Sequence, residues 1–331
     1  MVKEQLGSTT TFVHDAAGLG AVVPVSIVIP VFGAAPFLPA LIDRLDRQTV
    51  GPQEILVIHT GAHDPTRLIA AAHPRLRIIH QEDRLFAGEA RNRGLAEAAG
   101  RWVAFLDSDV LPEPDWLENM HAALCQNPRS IVAGSVGVAH TGGYWGLSLW
   151  AIEFSSVHPY LPDREMAGGS SANLAASRQD LLALGGYPGS KTSEDVTLAA
   201  RCRAAGLTNL FCSGAVVGHH NIPGLNHMVS HLASLGLWSA VARRREALPG
   251  SFVIRLWPLA GFLWIYRLAL VYGRVLRWGK GYRTAFLIRL PAVILAALAW
   301  NWGFLYGMFV RVSDPNDISL SGYARNRSSS V

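Results

Sequence analysis

The sequence predicts an α/β fold, a mainly parallel sheet with helices on both faces, followed by a C-terminal set of hydrophobic helices. Three observations predict it. Short apolar runs alternate with helix-forming stretches from Val25 to Leu106, the pattern of strands joined by crossover helices. The 331 residues are 50% hydrophobic and only 16% charged, which excludes a disordered or fibrous chain. The charge balance also changes sign along the chain: residues 1–242 carry 16 Lys+Arg and 21 Asp+Glu, residues 243–331 carry 13 and 3.

Met1–Val13 lacks the basic start and short apolar core of a secretory signal. The three cysteines, Cys125, Cys202 and Cys212, have no metal-ligand or disulfide-framework spacing, so a reducing compartment is expected. Ala16–Ile42 is apolar, but Pro24, Pro30, Pro36 and Pro39 break a membrane helix, and a buried strand over Val25–Pro30 fits better. Glu54–Ile58 and Leu76–His80 read as strands, with a helix over Pro65–Ala72 between them. An Ala-rich helix over Ala87–Ala99 leads into a buried strand, Trp102–Leu106. Right-handed crossovers make such a sheet parallel, and ligands then bind beyond the carboxyl ends of its strands.

Beyond Gly250 the character changes. Phe252–Tyr272 is apolar but carries Arg255 and Arg267, and is expected to lie in a membrane interface as an amphipathic helix. Leu290–Val310 has no charge and is long enough to cross a bilayer. Trp257, Trp264, Trp278, Trp300 and Trp302, with the excess of arginine, favour membrane lipids as partners over nucleic acid. The competing reading is a pair of buried helices in a soluble bundle. The expected organisation is an N-terminal extension (1–23), an α/β domain (24–242), a basic apolar helical region (243–312) and a tail (313–331).

Chemistry concentrates after the strands. Asp107-Ser108-Asp109 follows a buried strand, and alternate residues of an extended segment share a face, so both carboxylates can enter one site. Their repulsion is relieved by a hard cation, Mg²⁺ or Mn²⁺, completed by diphosphate oxygens. Arg91 and Arg93 sit near the start of the preceding helix, where phosphate charge is favoured. Ser193-Glu194-Asp195 opens a helix, which suits either N-terminal capping or a rigidly held base. Gly185-Gly186 reads as a turn that needs positive φ.

Val25–Val31, Gly88-x-Ala-Arg91-Asn92-x-Gly94 and Phe105-Leu-Asp107-Ser-Asp109 together resemble a family 2 glycosyltransferase of GT-A fold. The likeness continues through Gly168–Asn173, Gly185–Pro188 and Ser193–Arg201, covering about residues 24–240. It implies a metal-dependent, inverting transferase that takes a nucleotide-sugar donor and serves a lipid-linked or glycan acceptor at the cytoplasmic face of a membrane. In that frame Asp107, Ser108 and Asp109 hold the donor diphosphate through the metal, with His219 as a further metal ligand. Pro30, Val31, His59, Thr60, Arg91 and Asn92 line the donor pocket. Asp195 is the catalytic base with Glu194 beside it, and Gly169 and Asn173 face the acceptor.

One departure stands out. The family's acidic pair after the second strand is replaced by His59-Thr60, so the implied uridine recognition does not carry over. The processive synthases' Q-x-x-R-W signature is absent, which favours single transfer. Arg243-Arg244-Arg245 are read as anchors to lipid headgroups. Transfer onto a polyprenyl phosphate, or a membrane scaffold with a degenerate site, are the alternatives. A sugar nucleotidyltransferase would need a basic Gly-rich loop after the first strand, where Val31-Phe-Gly-Ala-Ala-Pro36 stands.

Overall fold

The computed structural model describes residues 21–33, 35–61, 75–188, 193–246, 248–279 and 281–310. The N-terminal extension through residue 20, the helix expected over Pro65–Ala72, and the tail lie outside these. Strand β1 (Val22–Phe32) is the spine. Its Ile27 and Ile29 are buried in one core with Leu41 and Ile42 of α1 (Leu38–Asp46), while Val28 is buried in a second core with Ala90 and Leu95 of α2 (Ala87–Glu97). Burial on both sides accounts for the continuous apolar run and puts helices on both faces.

Parallel pairing joins β1 to β2 (Gly51–Thr60) and to β4 (Trp102–Leu106), and β2 to β3 (Leu76–Gln81). The second half is mixed. Strand β8 (Asn173–Ser177) runs antiparallel to β4 and to β6 (Ser130–His140). The long β9 (Thr208–His220) pairs parallel with β6, and antiparallel with β5 (Val110–Pro112) and β7 (Arg164–Glu165). The path through the sheet is β3-β2-β1-β4-β8-β6-β9-β5. The mainly parallel expectation therefore holds for the first four strands of this path; the antiparallel pairings of the mixed half were not read from the sequence.

Helices α3 (Trp116–Gln126), α4 (Gly143–Phe154), α5 (Arg178–Ala183) and α6 (Glu194–Ala204) complete the α/β layers. The single interfacial helix expected over Phe252–Tyr272 is instead broken into α8 (Phe252–Arg255), α9 (Trp257–Ala260) and α10 (Leu263–Trp278), followed by α11 (Arg283–Ile288). Pro258 at the start of α9 forces one of these breaks.

The last helix, α12 (Leu290–Phe309), packs along α7 (Leu225–Arg245). A Cβ at Gly236 would collide with the Trp300 backbone, and one at Gly303 with the Ala233 backbone, so glycine permits the close approach. Helix α12 is long and apolar enough to cross a membrane, yet more than half of it is buried against the protein. Because α7 runs on to Arg245, the expected domain boundary at 242 falls inside a helix that belongs to both parts.

Arg243 and Arg244 are tied to oxygens of the protein itself. Arg243 donates to the Pro249 carbonyl and to Ser239, and Arg244 donates to the carbonyls of Gly307 and Val310. Arg244 caps the end of α12, whose last carbonyls lack helical partners, while Arg243 ties α7 to the turn at Pro249.

Candidate active site

Beyond the carboxyl ends of β1 and β4 opens a cavity of about 1380 Å³. Pro30, Val31, Thr60, Arg91, Asp107, Ser108, Asp109, Gly169, Glu194 and Asp195 all line it. Sheet pairing gathers them. The β5–β9 register sets Val110 opposite His219, which brings Asp109 Oδ2 within 3.7 Å of His219 Nε2. The β4–β8 pairing sets Leu106 opposite Asn173 and fixes the start of the Asp107–Asp109 turn.

Arg91 joins the two acidic motifs. Its Nη2 donates to Asp107 Oδ1 at 2.6 Å and its Nη1 to Glu194 Oε1 at 2.9 Å. The side chain is only 4% exposed, and its charge is held firmly by Asp107, Tyr187 and Glu194 against the cost of burial. A buried guanidinium between two carboxylates fixes the distance between motifs that are far apart in sequence.

Among the described residues Asp195, beside this network, has no cation within salt-bridge distance. Burial, and then the neighbouring Glu194 charge, push its carboxyl up to about 7, with the Val196 N–H and Arg91 pulling the other way. Its Oδ1 accepts from Val196 N at 2.8 Å. Ser193 adopts φ 63, a left-handed conformation uncommon outside glycine, and makes no capping hydrogen bond. The helix start is therefore held by the acidic pair and not by the serine. Burial also raises Glu194, with Arg91 opposing.

Asp109 is raised to about 6 by burial, with His219 pulling down and Asp107 pushing up. Asn221 Nδ2 donates to the His140 carbonyl, so Asn221 Oδ1 is the acceptor for His219 Nδ1 at 3.0 Å. His219 Nδ1 is thus engaged by Asn221, and its Nε2 faces Asp109. Among the described residues no group of three or more His, Cys, Asp or Glu side chains forms a complete metal cage. Two carboxylates and open space suit a hard ion that takes one or two protein carboxylates and completes its shell from substrate phosphates.

Three expected site residues are engaged elsewhere. Asn173 is fully buried: its Oδ1 accepts from Trp116 Nε1, and its Nδ2 donates to the Ser135 and Ala215 carbonyls, so no group remains for an acceptor. Asn92 spends its amide on the Tyr187 backbone, donating to O and accepting from N. It holds the Gly185-Gly186 turn, whose φ values of 76 and 69 match the expected positive φ. His59 is buried between His80, with 3.0 Å between their Nδ1 atoms, and the Gly33 carbonyl, 3.2 Å from its Nε2. It braces the loop after β1, and Thr60 alone of that pair reaches the cavity. Glu153 and His231, 3.3 Å apart, line the cavity and were missed by sequence reading, since neither sits in a motif.

Comparison with known proteins agrees with this architecture. The model of glycosyl transferase family 2 matches residues 26–172, which span β1, Arg91 and both aspartates. Over that stretch the chain is similar to this family. Taken with its named relatives, which are glycosyltransferases, the match makes the chain a glycosyltransferase. Glycosyltransferase AglE of Haloferax volcanii is 26% identical over 253 residues, 72% of this chain and 81% of that protein. A PGL/p-HBAD biosynthesis glycosyltransferase of Mycobacterium tuberculosis is 36% identical over 127 residues, 37% of this chain; the match spans about half (50%) of that relative's length. Among solved structures, mannosyltransferase PcManGT from Pyrobaculum calidifontis, in complex with GDP-Man and Mn²⁺, aligns with a TM-score of 0.55 at 18% identity. The alignment covers 86% of this chain and 85% of that one. At that identity the likeness speaks for the GT-A fold.

Proposed function

We propose that this glycosyltransferase moves a sugar from a nucleotide-sugar donor to a lipid-linked or glycan acceptor, by inversion, beside a membrane. One observation carries the reading: Asp107-x-Asp109 and Glu194-Asp195 converge on a single cavity, linked through Arg91, and Asp195 is raised to about 7. A base poised near neutrality takes a hydroxyl proton most effectively. Asp195 takes the acceptor hydroxyl's proton as that oxygen bonds to the anomeric carbon, and the bond from that carbon to the diphosphate breaks.

Asp107 and Asp109 would hold Mg²⁺ or Mn²⁺, with His219 Nε2 next in reach. When bound, the ion would stabilise charge on the departing diphosphate. Arg91 orients Asp107 and Glu194, and so sets where the diphosphate and the base stand. Ser108 and Thr60 offer hydroxyls on the donor side, and Gly169, where a Cβ would strike Ala133, stands on the acceptor side. The Mn²⁺-bearing structural neighbour with GDP-Man supports this class of donor and ion.

Membrane association rests on the C-terminal helices. Phe252, Trp257, Phe262, Ile288, Trp302 and Phe309 are each more than half exposed, an unusually large apolar surface for a soluble protein. With exposed Arg255, Arg277 and Arg283 interleaved, this face suits the headgroup region of an anionic bilayer on the cytoplasmic side. The test is transfer or slow hydrolysis of GDP- and UDP-sugars by the full chain with Mn²⁺. Turnover that vanishes in Asp109→Asn supports the reading; no turnover with any nucleotide sugar, with or without metal, defeats it.

A further inference from the structure

The cavity is larger than the few hundred to about 1,000 Å³ that encloses an ordinary small ligand. It has a second arm that the sheet does not build. From Glu153 and His231 it continues between α7, α10 and α12, walled by Leu235, Val253, Leu263, Leu270 and Phe304. Glu153, which lines the cavity, is coupled electrostatically to Asp109 and Asp195 of the polar arm and to Arg267 of the apolar arm.

Two arginines sit in this apolar arm. Arg267 lies over the Trp300 ring, 3.9 Å from its centroid, and its buried Nε has no hydrogen-bond partner among the described residues. Arg243 lines the same wall. Arg274 stands near enough to repel Arg267, and its Nη1 is 3.3 Å from Ser155 Oγ. Among the described residues none of the three has a carboxylate within salt-bridge distance. Burial first, then Arg243 and Arg274, draw Arg267 down to about 10. Clustered cations in an apolar wall are costly unless something anionic neutralises them. Arginine in particular suits a phosphate oxyanion. The arm also opens onto the exposed apolar face, since Phe252, Leu259 and Tyr266 line it while more than half exposed.

We propose that this arm holds the lipid part of the acceptor: a phosphate-type oxyanion between Arg267 and Arg243, with its apolar chain running past Val253 and Leu263 to the membrane-facing edge. This rests on the proposed transfer reaction and narrows its acceptor to an anionic lipid. Continuity with the exposed apolar face favours a membrane lipid over a free phosphate ion.

The test titrates the full chain with dodecyl phosphate below its micellar concentration, beside dodecanol and inorganic phosphate. The expected result is one-to-one binding of dodecyl phosphate at least about tenfold tighter than either of the others, as a charge-assisted contact implies. Arg267→Met should weaken it at least about tenfold, with partial rescue by Arg267→Lys. If Arg267→Met does not melt cooperatively, Arg243→Gln should show the same loss. Equal binding of dodecanol overturns the anion, and equal binding of inorganic phosphate overturns the chain. Retention of full affinity in a folded Arg267→Met overturns the assignment. A parallel titration with nucleoside diphosphate and Mn²⁺ separates the two readings. Nucleotide binding without alkyl-phosphate binding defeats only this inference; the reverse defeats only the donor reading.

Discussion

Asp195 carries the sharpest residue-scale expectations. Its carboxyl is raised from 3.8 to about 7, so between roughly pH 4 and 7 the folded protein keeps a proton that the unfolded chain has released. Its contribution to stability is therefore full below pH 4 and lost as pH rises to 7. Thermal melts across that range should show a decline that Asp195→Asn flattens. Activity runs the opposite way: kcat/KM should rise with an apparent pKa near 7 as the base form appears. Asp195→Asn should lower kcat by about 10²–10⁴-fold while the protein remains folded. Asn173 is a contrasting case. Asn173→Ala strips Trp116 Nε1 and two carbonyls of their partner and should cost about 2–4 kcal/mol by chemical denaturation, with nucleotide affinity unchanged in whatever remains folded. That Asp107, Asp109, Glu194 and Asp195 meet in one cavity could be expected from the sequence, because carboxylates directly after a buried strand or at a helix start lie at the sheet's carboxyl edge. Asn173, Asn92 and His59 were misread because an amide or imidazole looks the same whether it faces a ligand or a backbone. Only the packing of β8 beside β6, β9 and α3 reveals the difference for Asn173.

At the scale of elements, the parallel half of the sheet was readable because both of its faces are buried, which leaves uninterrupted runs such as Val25–Val31. The mixed half was not. Strand β6 contains Gly134 and Gly137, and β9 owes its 13 residues to pairing with three partner strands, a long-range fact no local pattern carries. The contact between α7 and α12 was equally hidden, because the absence of charge in α12 suits a core and a bilayer alike. Its glycines are the clue. Gly303→Val places a branched side chain against the Ala233 backbone and should cost at least about 1–3 kcal/mol, read as a lower melting temperature. Because α7 and α12 both wall the second arm of the cavity, the same substitution should disturb the acceptor side more than the donor side.

For the whole molecule, a mixed sheet supplies the polar arm of the cavity and the C-terminal helices supply the apolar arm, so both regions wall one cavity. The charge asymmetry seen in the sequence survives in altered form: Arg243 and Arg244 are tied to protein oxygens, while Arg255, Arg277 and Arg283 stay outside among exposed aromatics. Co-flotation with vesicles should be stronger for anionic than for neutral lipid. Raising the salt should weaken it only in part, because apolar burial is not screened. Trp257→Ser with Phe262→Ser should reduce flotation without changing nucleotide affinity. The measurement that bears most directly on the central claim is calorimetric titration of GDP and UDP into the full chain, with and without Mn²⁺. The account predicts that at least one nucleotide binds with Mn²⁺, more weakly by tenfold or more without it, and not measurably to Asp109→Asn. Binding that ignores both the ion and Asp109 would contradict it.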